Sequence, residues 1–250
     1  MKIMAIIQAR MGSSRLPGKV LMNLCDKPVL WHIVNRIQKS WYINSIIIAT
    51  SINREDDAIE QFAVKNNINV YRGNQTNVLE RFYKCAKQYN PDIIVRLTGD
   101  NALIDPHIAD QGIEYFISKK GLDYVYYREG LPLGMAVEIF SSQALEKAYA
   151  EAKDAECLEH VTPYMYLNQD KFKSERIHAI GKDRCSLRWT LDTRQDYELL
   201  TRIYEALYAE GEDLFYYEDI LEEYQSHEEW MMVNSGIRQV GLTYKGDGGK

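Results

Sequence analysis

The sequence predicts an α/β fold built on a mixed, mostly parallel sheet, with a small second lobe in its C-terminal half. Three observations predict it. Short apolar, β-branched runs alternate with longer stretches whose apolar residues recur at helical spacing, which is the pattern of βαβ units and a sheet covered on both faces. At 250 residues, 46% hydrophobic and 26% charged, the chain can bury one generous core or two unequal lobes without staples. No apolar run approaches the ~18 residues of a membrane span.

The first strand is the apolar run 2–8, and a glycine-containing loop follows to Lys19. Pro28 stands at a helix start, with Val29, Leu30, Ile33, Val34 and Ile37 on one helical face. The alternation continues as strand 45–50, helix 56–65, strand 68–72, helix 78–89 and strand 92–97. A helix 106–118, strands 123–127 and 136–140, and helices 141–153 and 156–167 follow. Residues 173–180 and 187–191 read as further strands, and 194–209 as a long helix. The expected organisation is a single domain, 1–250: a first half, 1–105, a second half, 106–235, and a mobile tail, 236–250.

Composition narrows the function. The four cysteines, Cys25, Cys85, Cys157 and Cys185, are scattered without CxxC or zinc-like spacing. Residues 1–8 lead straight into a strand with no cleavage pattern, so a reducing, cytoplasmic setting is expected, with no membrane partner. A net charge of −6 argues against a nucleic-acid polymer. Yet residues 1–25 carry Lys2, Arg10, Arg15 and Lys19 and no acid, a concentration that suits a small polyanion. Residues 209–229, with nine acids and no Lys or Arg, read as a solvated helical face.

The loop after the first strand, Gln8-Ala9-Arg10-Met11-Gly12-Ser13-Ser14-Arg15-Leu16-Pro17-Gly18-Lys19, is built for phosphates. Gly12 lets backbone amides approach an anion, the serines add donors, and Arg10, Arg15 and Lys19 add charge. At an effective dielectric of about 20, a cation ~4 Å from a phosphate gains about 4 kcal/mol before desolvation. The spacing is not that of a Walker loop, since five residues separate Gly12 from Gly18 and Val20 follows the lysine.

Phosphate-transfer chemistry also needs a charge clamp, usually Mg²⁺ held by one or two carboxylates. Candidates belong at strand ends, where ligands bind in open α/β sheets. Asp100 follows one strand in Leu97-Thr98-Gly99-Asp100-Asn101, and Asp192 follows another in Trp189-Thr190-Leu191-Asp192-Thr193. An aspartate at a strand end is equally a turn former or helix cap, and both readings stand at this point.

The loop Gln8 to Leu21, QARMGSSRLPGKVL, resembles the nucleotide-binding signature of the spore-coat polysaccharide type of cytidylyltransferase, a family related to the CMP-KDO and CMP-acylneuraminate synthetases. With the other motifs the resemblance spans about 200 residues. It implies a Rossmann-like nucleotidyltransferase fold of GT-A type, 1–105 as the nucleotide-binding half, and 106–235 as the acceptor-binding and dimerisation half of a homodimer. The implied activity is transfer of CMP from CTP, with Mg²⁺ and pyrophosphate release, to a small anionic acceptor in surface or capsular polysaccharide synthesis. Sugar acids, sugar phosphates and phosphorylated amino acids are the acceptor classes.

By that resemblance Arg10, Arg15 and Lys19 bind triphosphate, and Arg10, Lys19, Asp100 and Asp192 form the catalytic set. Thr98-Gly99-Asp100 resembles the first metal motif and Leu191-Asp192-Thr193-Arg194-Gln195-Asp196 the second, so Asp100 and Asp192 are the expected metal ligands. Asp196 reads as charge compensation at a helix start. Gln8 replaces the proline of the sugar-acid synthetases, and Ala102 stands where relatives often have proline.

The nucleotide contacts are expected from Gln8, Ala9, Arg10, Met11, Gly12, Ser13, Arg15, Lys19, Arg72, Gly73, Asn77, Thr98 and Gly99. Arg72-Gly73 and Asn77-Val78-Leu79-Glu80-Arg81-Phe82 resemble the segment packed on cytosine, and the choice of CTP rests on that resemblance. Acceptor contacts are expected from Tyr127, Arg128, Glu138 and His160, with Arg128 as an anion fork and Glu138 accepting sugar hydroxyls. The competing readings are a glycosyltransferase, a nucleotidyltransferase using another NTP, and a silent nucleotide-binding module. The first needs an Asp-x-Asp motif, which the chain lacks; the last needs a lost carboxylate or loop cation, and none is lost.

Overall fold

The computed structural model describes residues 1–178, 183–209 and 214–239, and of Arg128 the backbone alone. In chain order β1 (Ile3–Gln8) leads to a hairpin, β2 (Asn23–Leu24) and β3 (Lys27–Pro28), and α1 (Val29–Ile37). Then come β4 (Ser45–Ser51), α2 (Asp57–Lys65), β5 (Asn69–Gly73), α3 (Val78–Tyr89), β6 (Ile93–Thr98) and α4 (Pro106–Ser118). The second half holds β7 (Tyr124–Glu129), β8 (Glu138–Ser141), α5 (Ser142–Glu151), α6 (Ala155–His160), α7 (Pro163–Leu167) and β9 (Ser174–His178). It closes with α8 (Arg194–Leu207), α9 (Tyr217–Ser226) and α10 (Trp230–Val233).

Seven strands form one sheet in the order β5-β4-β1-β6-β8-β7-β9. β5, β4, β1 and β6 pair in parallel, β8 runs antiparallel between β6 and β7, and β9 is parallel to β7. The sheet is therefore mixed and mostly parallel, as expected, and the second half extends it rather than building its own. β1 has β4 on one side and β6 on the other, so strand order reverses there and a crevice opens beyond the carboxyl ends of β1 and β6.

β1 is apolar throughout because both its faces are covered. Ile3, Ala5 and Ile7 join Ile33 of α1, Ala109 of α4 and Leu200 of α8 in one core. Met4 and Ile6 join Phe82 of α3, Leu145 of α5 and Met165 of α7 in the other. Side chains start the helices where the sequence supplies them: Asn77 accepts the Glu80 amide, Asp105 the His107 amide, and Thr193 with Asp196 forms a capping box. No helix among the described residues is long and apolar enough to cross a membrane.

Three points differ from expectation. Residues 156–167 are two helices, because Val161 takes a positive φ (73°) outside the helical region and Pro163 offers no amide to continue α6. Residues 187–191 do not form a strand: only Leu133 bridges Arg188, because the facing chain turns at Gly134 (φ 104°). A Cβ at Gly134 would lie 2.8 Å from the backbone of Trp189 and Thr190, so only glycine permits this approach. The acidic stretch keeps the expected solvated face, with Glu218 and Glu222 exposed on α9 while Ile220 and Tyr224 are buried on its other side. Finally, α10 was not anticipated; Trp230 anchors it in the core. Of the expected tail, 236–239 lie within the described residues and 240–250 outside them.

Candidate active site

The loop after β1 turns back at Gly18 (φ 73°), whose amide donates to the Met11 carbonyl at 2.9 Å. Its base is fixed by Asp56, fully buried between β4 and α2, which accepts the Met11 amide at 2.7 Å and the Ser51 amide at 3.2 Å. At Gly12 a Cβ would lie 2.7 Å from Glu55 Oε1, so this turn packs on the β4–α2 connection. The Gly99 amide donates to the Gln8 carbonyl at 2.8 Å; a side chain there would press on Ala9, Gln8 and Val20 at 3.1–3.2 Å. The absent side chain lets the β1 and β6 loops touch.

That closeness brings the two carboxylates together. Lys19 Nζ donates to Asp100 Oδ2 at 2.7 Å and to Asp192 Oδ1 at 2.8 Å, although the aspartates are 92 positions apart. Thr98 Oγ1 steadies the other oxygen of Asp100 at 2.6 Å, and the Leu191 amide donates to the Asp100 carbonyl at 2.9 Å. Arg15 Nη2 and Arg188 Nη2 each reach Asp192 Oδ2 at 2.9 Å. Burial raises the Asp192 carboxyl, but Lys19, Arg15 and Arg188 outweigh it and hold the group below the usual aspartate range.

Behind Asp192, Arg188 Nε and Nη2 fork onto Asp196 at 2.7 and 2.9 Å, and Asn234 Nδ2 donates to Asp196 Oδ1 at 2.9 Å. Asp196 is fully buried; burial raises its carboxyl, and the bonds from Arg188 and Asn234 bring it below the usual range. It also accepts the Asp192 and Thr193 amides at 3.0 and 2.9 Å. Its work is therefore larger than compensating a helix end.

Among the other loop residues, Arg10 is half-exposed and meets Glu159 of α6 at 3.8 Å, while Ser13 Oγ accepts the Leu16 amide at 3.4 Å. Gln8 Oε1 accepts from Arg96 Nε at 3.2 Å. Arg72 is committed to the β4–α2 connection, bonded to Asp57, Glu60 and the Ser51 and Asn53 carbonyls at 2.6–2.9 Å. It builds the wall of the crevice instead of offering a spare cation. Asn77 is the cap of α3, and Gly73 leaves room for Arg81 and Tyr71 at 3.0 Å.

The expected acceptor residues scatter. Tyr127 faces the wrong side: on β7 alternate residues point to opposite faces, and Tyr127 is packed in the α4-side core with its hydroxyl on the Ile108 carbonyl at 3.0 Å. Burial pushes its phenol up to about 12. The opposite face carries Tyr124, Tyr126 and Tyr166, with ring centroids 5.1–6.2 Å apart. Glu138 takes donors from Arg96, Tyr124 and Thr162, so it holds its neighbours rather than waiting for sugar hydroxyls. His160 is partly exposed at the end of α6; the Arg128 side chain lies outside the described residues.

Three residues escaped the sequence reading: Asp56, Arg96 and Arg188. Arg96 and Arg188 left a usable signal, a lone cation within an apolar run; Asp56, at the start of the expected helix 56–65, left none. A cleft of about 430 Å³ lined by Trp31, Asn35, Asn44, Ser45, Asn66 and Asn69 lies at the amino ends of β4 and β5, at the other end of the strands from these groups.

A divalent cation fits the donor set. Asp100 and Asp192 already converge on one cationic nitrogen, and their hard oxygens suit Mg²⁺, which takes one or two carboxylates and completes its shell with water and phosphate. No group of three or more His, Cys, Asp or Glu side chains placed to hold a metal occurs among the described residues.

A cationic loop at the switch point of a mostly parallel sheet, facing paired carboxylates, defines an α/β protein of the nucleotidyltransferase fold. The cytidylyltransferase family model matches residues 4–227, and the chain belongs to that family. It is 35% identical over 209 residues to the spore coat polysaccharide biosynthesis protein SpsF of Bacillus subtilis, covering 81% of this chain and 86% of that one. A 3-deoxy-manno-octulosonate cytidylyltransferase of Trichlorobacter lovleyi is 37% identical over 122 residues, 49% of this chain and 48% of that one. The solved structure of a cytidylyltransferase from Leptospira borgpetersenii superposes with TM-score 0.86 at 33% identity, covering 92% of this chain and 97% of that one.

Proposed function

We propose that the protein transfers CMP from CTP to a small anionic acceptor, a sugar acid, sugar phosphate or phosphorylated amino acid, and releases pyrophosphate. The observation that carries this reading is the convergence of Asp100 and Asp192 on one cation beside the cationic loop. Family membership supports the cytidine nucleotide, and the SpsF relative's printed role supports a place in surface or capsular polysaccharide synthesis. On this reading the enzyme works in the cytoplasm, as a homodimer.

The loop amides around Gly12 and the Arg10, Arg15 and Lys19 side chains bind and align the triphosphate. Arg15 and Lys19 exchange their carboxylate partners for phosphate oxygens. Asp100 and Asp192 would hold Mg²⁺, which when bound draws charge from the α-phosphate and the leaving pyrophosphate. Lys19 then stays close enough to balance the charge that develops on the bridging oxygen. The Arg96–Glu138–Thr162 chain holds the α6–α7 corner against the sheet, and Tyr126, Tyr166 and His160 line the space for the acceptor.

Pyrophosphate release is followed with Mg²⁺, each of four NTPs in turn, and a panel of sugar acids, sugar phosphates and phosphorylated amino acids. CTP-selective release that depends on one acceptor class is expected. Equal use of all NTPs would overturn the cytidine assignment, and release from none would overturn transfer.

A further inference from the structure

Three cations and three carboxylates meet in one connected cluster: Lys19, Arg15 and Arg188 with Asp100, Asp192 and Asp196. Its cations differ in exposure and in what holds them. Arg15 rides on the phosphate loop with a third of its side chain exposed, and Lys19 follows at the loop's end. Arg188 is only 7% exposed and is locked from behind by the fork onto Asp196 and by Asn234, which donates to its carbonyl at 2.9 Å. The Gln239 side chain takes its remaining amino group. It has no route to a phosphate while this lock holds.

We propose that Arg188 is the fixed counter-cation of Asp192, which keeps that carboxylate neutralised and oriented while Arg15 passes from it to the polyphosphate. This rests on the reading of the loop as a polyphosphate site. The geometry gives the reason: Arg15 and Arg188 share a single oxygen, Asp192 Oδ2, each at 2.9 Å. When Arg15 leaves, Oδ2 still has a charge-assisted hydrogen bond. Without Arg188, the departure of Arg15 would strand a carboxylate oxygen in a site only 7% exposed, a cost that opposes phosphate binding. Arg188 is thus a positioning residue that lowers the cost of releasing the loop, and its loss is felt through Arg15.

Inorganic tripolyphosphate binding to the full chain, measured by calorimetry without divalent ions, tests this as a double-mutant cycle. Arg188→Met is expected to weaken binding about tenfold, while in the Arg15→Ala background it changes affinity less than about twofold. Independent, multiplying losses would mean that Arg188 only attracts anions at a distance, and unchanged affinity in Arg188→Met would mean that it only supports the fold; either overturns the proposal. If Arg188→Met does not fold, Arg188→Met/Asp196→Asn removes the pair without leaving a stranded charge, and the same cycle applies. Non-additive binding without transfer from any NTP would overturn the transfer reading and leave this coupling standing. A wild-type protein that fails to bind tripolyphosphate overturns both.

Discussion

Replacing Lys19 by methionine keeps the stem's bulk and removes the ammonium that joins Asp100 to Asp192. Two contacts, at 2.7 and 2.8 Å, are lost. At an effective dielectric near 20 each is about 6 kcal/mol of attraction before desolvation. Most of that is offset by the solvation both partners give up, and breaking a buried pair from one side typically costs about 3–5 kcal/mol. Here the cost is lower, because the Asp100 side chain is 24% exposed and keeps Thr98, while Asp192 keeps Arg15 and Arg188. The expected loss is about 2 kcal/mol, or roughly 4–8 °C in Tm for a chain of this size. Scanning calorimetry in chelator measures it, and added Mg²⁺ is expected to stabilise Lys19→Met more than wild type because the ammonium no longer competes. An unchanged Tm, or a Mg²⁺ response no larger than that of wild type, would refute the reasoning.

Asp100→Asn is expected to lower pyrophosphate release by ~10² or more at saturating CTP, the range for losing one transition-state charge stabiliser; wild-type turnover in the purified variant would remove Asp100 from the metal set. Tyr127→Phe deletes a buried bond to the Ile108 carbonyl and is expected to cost about 1 kcal/mol of stability without altering the acceptor KM, which acceptor titration checks. Asp192 and Asp196 both lie below the ordinary aspartate value of 3.8 in the folded state, so their contribution is complete above that value and is lost as pH falls through the folded values. Urea midpoints should therefore drop below a pH of about 4 more steeply in wild type than in Asp196→Asn; parallel curves would contradict this.

The sheet and the loop were legible because their signals are local. A both-faced strand such as Ile3–Gln8 is apolar at every position, and the cations and glycines of residues 8–19 are contiguous. The pairing of Asp100 with Asp192 was also reachable, since each ends an extended segment and ligands gather at such ends. What escaped depends on contacts between distant segments. Tyr127 and Tyr126 are one position apart, and only the placement of β7 in the sheet decides which of them packs into the α4-side core. Arg188 sits in a run that reads as strand, yet a single bridge to Leu133 is all the pairing it makes, and its guanidinium forks onto Asp196. Glu138 could be identified as polar and central, but not as already engaged by Arg96, Tyr124 and Thr162.

Crystals soaked with CTP and Mn²⁺ and examined by anomalous scattering provide the most direct measurement. A manganese peak within coordination distance of both Asp100 and Asp192, with Arg15 and Lys19 turned onto the polyphosphate, is the expected result. Manganese bound elsewhere, or a nucleotide whose phosphates lie away from residues 9–19, would contradict it.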